Sequence, residues 1–273
     1  VMIRVGAYLV PAGKEGIAGA VGSQIRAAGV EGKSPEAFDE EVAFLAAEMG
    51  TSIGGTQGSA SFNCLAKDLE QVMELFFHML RKPAFDQKRL EIYRSQVLQN
   101  LARRNDSTDS IESREWQRLL RGPRHFTNDK VTKDVVEGIT REDLTAFHRK
   151  HFHPGNFIIS VSGDVNRERV LALLEKHLAD WKSQGGEPAK IPAPGAPASP
   201  GVYMVDKPDV NQGRVGIGHI GVKRDHPDYF ALRVMNHILG GGGFVSRIMS
   251  RVRSDEGLAY TARSSYDFGV YYP

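Results

Sequence analysis

The sequence predicts an α+β protein, and three observations support this prediction. Segments of alternating apolar and small polar residues, typical of half-exposed antiparallel strands, stand between segments with helical periodicity. Residues 2–28 have the order strand, polar turn and helix, and residues 213–243 repeat it, which indicates two related halves. Residues 184–201 are rich in Pro, Gly, Ala and Ser, a composition typical of an extended linker. We therefore predict a first domain at 1–183 and the start of a second at 202–273.

The elements of the first half follow from periodicity and from helix-terminal residues. Ser34 is the expected N-cap of a helix that has Pro35 at its first position and Gly50 at its end, and Ser110 is the expected cap of another. In chain order we predict a strand at 1–10, helices at 17–28 and 34–50, strands at 51–57 and 58–65, helices at 69–83, 86–105, 110–122 and 139–152, a strand at 156–165 and a helix at 167–181. In the second half, a strand at 213–222 precedes a helix at 229–243.

The composition excludes several classes of function. The chain has 273 residues and a formal charge of +2, so neither nucleic acid nor an anionic membrane is an expected partner. Its single cysteine, Cys64, cannot form an internal disulfide or a multi-cysteine metal site. No apolar run approaches the length of a membrane span, so we expect no membrane insertion. The chain opens inside a predicted strand, and we expect it to be a piece of a longer protein.

Several segments together resemble one peptidase family. They are VGAYLVPAGKEGIAG near the start, HFHPGNFIISVSGDV in the middle, and GGGGFVSRIMSRVRSDEGLAYTARSSY near the end. In this order they resemble the pitrilysin/insulinase family, over nearly the whole chain. The resemblance implies two related domains, each a largely antiparallel sheet with helices packed on one face, the second only partly present here.

Active members of that family bind zinc through an inverted His-x-x-Glu-His motif on the first helix, with the Glu as general base. The resemblance places Gly19 and Ser23 at the two His positions and Gly22 at the Glu position. Asn100 stands where a later helix supplies a third ligand, a Glu. Glycine has no donor atom, a serine hydroxyl is a poor zinc ligand and an Asn amide is neutral. We therefore expect no metal in this chain, and zinc in a partner subunit.

The densest group of histidines that could replace the missing ligands lies in the segment FHRKHFHPGN. His148 and His151 are three residues apart at a helix end, and His153 follows. A surface zinc site is conceivable there, but we favour solvated or capping histidines.

The same resemblance implies a supporting role for the second half. Active members supply from it an Arg and a Tyr that hold the substrate backbone and stabilise its carbonyl as charge develops. Arg253 and Tyr260 match that pair with its seven-residue offset. A guanidinium and a phenol can both donate to a developing oxyanion. The alternative is that Arg253 is a surface cation and Tyr260 a core aromatic.

Residues 51–57 could accept an extended peptide as an added strand. Gly54, Gly55 and Thr56 are the expected contacts, because two glycines leave the backbone accessible, although they could equally mark a bulge.

Three functions remain open. The first is a non-catalytic subunit that pairs with a zinc-bearing homologue, or self-associates, and helps it to cleave peptides. The second is a peptide-binding or scaffold protein with no part in catalysis. The third is a zinc endopeptidase with unrecognised ligands. We expect the bacterial periplasm rather than the cytoplasm.

Overall fold

The computed structural model describes residues 1–128, 130–183 and 189–273. Contacts divide them into two compact units. Unit 1 comprises Val1–Arg114 and Phe126–Pro192, and unit 2 comprises Glu115–His125 and Ala193–Pro273. Part of the predicted linker, residues 184–188, lies outside the described residues. No helix in the described residues combines the length and apolar composition that crossing a bilayer requires.

Four strands of unit 1, as far as the structure describes them, form one antiparallel sheet in the order β2-β3-β1-β4. Strands β2 and β3 make up its longest hairpin, with a continuous register from Glu48 opposite Asn63 to Ile53 opposite Gly58. The bounds are Met2–Ile3 for β1, Glu48–Ile53 for β2, Gly58–Asn63 for β3 and Phe157–Ile158 for β4. Sheet and helices together confirm the α+β prediction.

The helices of unit 1 follow the predicted apolar stripes. Helix α3 buries one face of Leu, Val, Met and Phe side chains and provides much of the core. In chain order the helices are α1 (Ile17–Ala27), α2 (Pro35–Phe44), α3 (Leu69–Arg81), α4 (Gln87–Ala102), α5 (Thr108–Arg121), α6 (Lys133–Glu137), α7 (Arg141–His151) and α8 (Arg167–Leu178). The last residues of α5 belong to unit 2.

Helix termini confirm one predicted cap and correct two other predictions. The Ser34 hydroxyl accepts a hydrogen bond from the Ala37 amide, and Pro35 is the first helical residue, as predicted. Helix α2 ends at Phe44 rather than near Gly50, because the chain enters a left-handed conformation at Ala46 (φ 46°). Gly50 therefore lies in β2.

Helix α5 begins two residues earlier than predicted. Its first residue is Thr108, and the amide of Ile111 bonds to the carbonyl oxygen of Ser107 at 3.2 Å. Ser110 lies inside the first turn and is not the cap. The predicted strand at 156–165 is also short, since only Phe157 and Ile158 pair with β1.

Unit 2 contains helix α9 (Tyr229–Asn236), a π-helical turn at His237–Gly241, the short helix α10 (Arg247–Met249) and a second π-helical turn at Ser250–Asp255. The strand predicted at 213–222 does not form. A strand needs a neighbour for its backbone hydrogen bonds, and the described part of unit 2 provides none. Val215 and Ile217 are accordingly exposed.

Candidate functional site

Helix α1 carries three of the four positions that the resemblance assigns to the zinc site. Gly19 and Ser23 lie one helical turn apart and are exposed, whereas Gly22 is buried. The carbonyl oxygen of Gly22 accepts a 2.7 Å hydrogen bond from the Thr51 hydroxyl. Helix α1 therefore lies directly against β2, an edge strand of the described sheet.

Gly22 is required for this close approach. A Cβ atom on Gly22 would lie 2.9 Å from the carbonyl carbon of Ser52 and would overlap the backbone nitrogen of Ile53. Both are strand backbone atoms and cannot turn aside as the end of a flexible side chain can. Gly19 differs, because a Cβ there would meet only the Tyr93 hydroxyl, at an ordinary 3.5 Å. The space for a general-base glutamate at position 22 is thus filled by β2.

The residues at these positions do not fit a zinc ion. Gly19 and Gly22 offer no donor atom, the Ser23 hydroxyl is exposed, and Asn100 on α4 is an exposed neutral amide. Across the described ranges, no group of three or more His, Cys, Asp or Glu side chains could hold a metal ion. That these positions correspond to the zinc site of active relatives remains a prediction from the resemblance.

Of the solvated and capping roles expected for the histidines at and after the end of α7, the solvated role is wrong, because these rings are buried. Nε2 of His148 donates a 2.8 Å hydrogen bond to the carbonyl oxygen of Leu80. Burial lowers the pKa of His148 to about 4. Burial, and then the positive charge of Lys150, lowers the pKa of His151 to about 4. Both rings are therefore neutral packing residues at pH 7.

His153, also buried, uses both ring nitrogens within the protein. Its Nε2 lies 3.1 Å from the side-chain amide of Asn156, which donates to it, and its Nδ1 lies 3.3 Å from the Ser183 hydroxyl. Burial lowers the pKa of this ring too. His153 is held by hydrogen bonds of its own and does not join the other two rings in a metal site.

The predicted peptide-contact residues lie in the turn between β2 and β3. The carbonyl oxygens of Gly54 and Gly55 accept hydrogen bonds from the amides of Ala7 (3.0 Å) and Tyr8 (3.3 Å). Thr56 belongs to the same turn. The backbone that we expected to be accessible to a peptide therefore already accepts hydrogen bonds within unit 1. Peptide binding by these residues stays a prediction.

In unit 2 the structure brings Arg253 and Tyr260 together. The guanidinium carbon of Arg253 lies 4.7 Å from the Tyr260 ring centroid and 5.0 Å from that of Phe244. Cation–π attraction to two rings restricts a side chain that would otherwise be mobile. Arg253 is half-buried and has no carboxylate partner among the described residues, while Tyr260 is 83% exposed. The pair can offer N–H and O–H donors to a ligand.

A glycine turn makes this arrangement possible. Gly257 adopts φ of 63°, and the chain then reverses so that the amide of Leu258 bonds to the carbonyl oxygen of Val252 at 3.0 Å. This reversal returns the following residues toward the second π-helical turn. Tyr260 thereby reaches Arg253.

Sequence reasoning missed three residues around these positions. Phe244 follows a glycine run, and nothing in the sequence there indicates a contact with Arg253. Tyr93 lies on α4 near Gly19, a tertiary relationship without a sequence signal. Arg251 could have been found, because RVRSDE places it four and five residues before two acidic residues.

Comparison with known proteins agrees with the fold. The family model described as the peptidase M16 inactive domain matches residues 138–272. An uncharacterized zinc protease from Mycobacterium leprae is 26% identical over 205 residues, which are 74% of this chain and 46% of that protein. One from Streptomyces coelicolor is 26% identical over 223 residues, 76% of this chain and 48% of that protein. The chain thus spans about half the length of the curated relatives it matches.

Solved structures give the same result. A peptidase M16 inactive domain from Pseudomonas fluorescens superposes with a TM-score of 0.81 at 26% identity, covering 98% of this chain and 65% of that one. The periplasmic protease PqqL from Escherichia coli has a TM-score of 0.73 at 15% identity, covering 97% of this chain and 29% of that one, and shows the shared fold alone.

Fold, motif order and these matches define a peptidase-like protein. The chain is similar to the peptidase M16 family, the pitrilysin/insulinase peptidases, in the sequence of residues 138–272 and in its fold. It is a peptidase homologue, and both the family model and the Pseudomonas fluorescens structure that it matches are described as peptidase M16 inactive domains.

Proposed function

We propose that this chain is the non-catalytic subunit of a heteromeric zinc peptidase. In this proposal a homologous partner binds the zinc ion, and this chain supplies Arg253 and Tyr260 to the bound peptide. The main support for the proposal is the environment of Arg253. Two aromatic rings position its guanidinium, and no carboxylate among the described residues neutralises it. Of the positions that the resemblance assigns to the zinc site, Gly22 packs against β2, and Gly19, Ser23 and Asn100 are exposed residues that make poor zinc ligands or none.

The chemistry assigned to the pair is carbonyl stabilisation. When water adds to a peptide carbonyl, its oxygen gains negative charge, and donors already in place stabilise that charge without reorganising. Arg253 can donate through its guanidinium N–H groups and Tyr260 through its hydroxyl. Neither group is consumed, so both can serve a centre whose metal belongs to another chain.

The test requires the intact pair of subunits. This chain is co-expressed with a homologue from the same genome that retains His-x-x-Glu-His, and hydrolysis of an unfolded peptide is followed. Loss of one oxyanion donor typically costs about 10²-fold or more in kcat, so Arg253→Ala should lower kcat by about that factor with zinc content unchanged. Arg263→Ala is the matched control, since Arg263 is an exposed arginine in the same unit without a ring contact among the described residues.

Full activity of the Arg253→Ala variant would overturn the proposal. It would favour the alternative, a peptide-binding or scaffold protein with no part in catalysis. Failure of the two chains to co-purify would overturn the partnership as well.

We also propose a periplasmic location for the assembly. The fold neighbour PqqL is described as a periplasmic protease. Immunoblotting of periplasmic and cytoplasmic fractions of the source bacterium tests this, and recovery with the cytoplasmic markers would contradict it.

A further inference from the structure

The π-helical turn at Ser250–Asp255 determines which arginine Glu256 contacts. The amide of Glu256 bonds to the carbonyl oxygen of Arg251, five residues earlier, at 3.2 Å. This wider turn places the two side chains together, and Oε1 of Glu256 lies 2.7 Å from Nη2 of Arg251. Asp255 also approaches Arg251, with its Oδ2 3.7 Å from Nη1. One arginine therefore contacts both carboxylates.

A regular α-helix would pair these residues differently. Residues three and four apart are neighbours on an α-helix, so Glu256 would face Arg253, three positions before it. In the observed turn Glu256 contacts Arg251 instead, and Arg253 lies between the rings of Phe244 and Tyr260. Single π-helical turns inside helices occur frequently at functional sites. In this turn Arg251 is paired with carboxylates, while Arg253 remains available to a ligand.

We infer that Arg251 is a positioning residue that keeps Arg253 available to substrate. By binding Glu256 it prevents that carboxylate from pairing with Arg253, and by contacting both Glu256 and Asp255 it offsets negative charge that would repel a substrate oxygen gaining charge. The functional part of this inference rests on the proposed function. The pairing itself is a property of this chain and can be measured without a partner subunit.

Chemical modification of arginine measures the pairing directly. Phenylglyoxal reacts with accessible guanidinium groups, and peptide mass spectrometry gives the rate at each arginine. Three forms of the chain are compared: wild type, Arg251→Gln, and Arg251→Gln combined with Asp255→Asn and Glu256→Gln. Arg263 serves as the internal reference in each form.

The inference predicts slower modification of Arg253 in the Arg251→Gln form, because Glu256 is then released to pair with it. Exposed ion pairs are weak, so the expected decrease is about two- to fivefold relative to Arg263. The triple substitution removes both carboxylates and should restore the wild-type rate, which a general loss of structure would not do. An unchanged rate in Arg251→Gln, or no recovery in the triple form, would overturn the inference.

The same forms separate this inference from the proposed function. With the zinc-bearing partner present, Arg251→Gln should raise KM or lower kcat by a similar two- to fivefold factor, and the triple form should recover. If the modification rates follow the prediction while Arg253→Ala leaves turnover unchanged, the pairing stands and the proposed function is wrong.

Discussion

The hydroxyl of Thr51 donates a 2.7 Å hydrogen bond to the carbonyl oxygen of Gly22, joining the first helix to an edge strand of the described sheet. Active relatives are expected to carry their general base at position 22. Here a side chain at that position would meet strand backbone. The position has therefore become part of the packing between α1 and β2.

Gly22→Ala is predicted to destabilise the protein. The added Cβ would overlap the Ile53 backbone nitrogen, and overpacking of this kind costs about 1–3 kcal/mol, more than the gain in helix propensity. Gly19→Ala is the matched control, because its Cβ meets only a side-chain hydroxyl at 3.5 Å. Urea unfolding measures both. Equal stability of the two variants would contradict the packing explanation.

The buried histidines of α7 predict acid sensitivity. The pKa of His148 is about 4 in the folded chain, against an ordinary 6.5, so the unfolded chain binds more protons between these values. Stability is then fully present above pH 6.5 and is lost as the pH falls toward 4, by at most about 3 kcal/mol for this group. His148→Gln should flatten the dependence of unfolding free energy on pH across this window. An unchanged slope would show that His148 does not cause it.

Gly257→Ala is predicted to weaken the contact between Arg253 and Tyr260. A side chain in the left-handed region costs about 1–2 kcal/mol, so the turn that returns Tyr260 should open. The expected result is a lower urea midpoint for unit 2 and altered phenylglyoxal reactivity of Arg253. Gly213→Ala, at a glycine with open space and no positive φ, should change neither. Wild-type reactivity in Gly257→Ala would contradict the role given to this turn.

The Tyr260→Phe variant distinguishes the contribution of the Tyr260 ring from that of its hydroxyl. The ring that contacts Arg253 remains, so the modification rate of Arg253 should stay at the wild-type value. Loss of the hydroxyl removes one donor to the developing oxyanion and should lower the turnover of the two-subunit enzyme by about 10²-fold. Undiminished turnover would show that the hydroxyl takes no part, and that Tyr260 acts only through its ring.

Helices were predictable from the sequence because their signals are local. The Ser34 cap and the apolar stripe of α3 depend on residues within a few positions of one another. Strands were less predictable, since pairing depends on distant segments. The alternation at 1–10 yields pairing only at Met2 and Ile3, and the segment 213–222 finds no partner in the described residues.

In the candidate site, too, some features could be predicted from the sequence and others depend on contacts between distant segments. The sequence alone shows that Gly19 and Gly22 cannot be zinc ligands, given the positions that the family resemblance assigns to them. The packing of Gly22 on Ser52 and Ile53 could not be predicted, because it depends on the distance between a helix and a strand. The contact of Phe244 with Arg253 likewise arises from chain reversals in unit 2.

We propose that this chain supports peptide cleavage without holding the metal. This proposal is tested by zinc analysis of the purified chain, together with peptide hydrolysis by the chain alone and with its zinc-bearing homologue. We predict that the chain alone holds no stoichiometric zinc and hydrolyses no peptide, and that the pair is active in a way that depends on Arg253. One tightly bound zinc ion per chain, with hydrolysis in the absence of any partner, would contradict it.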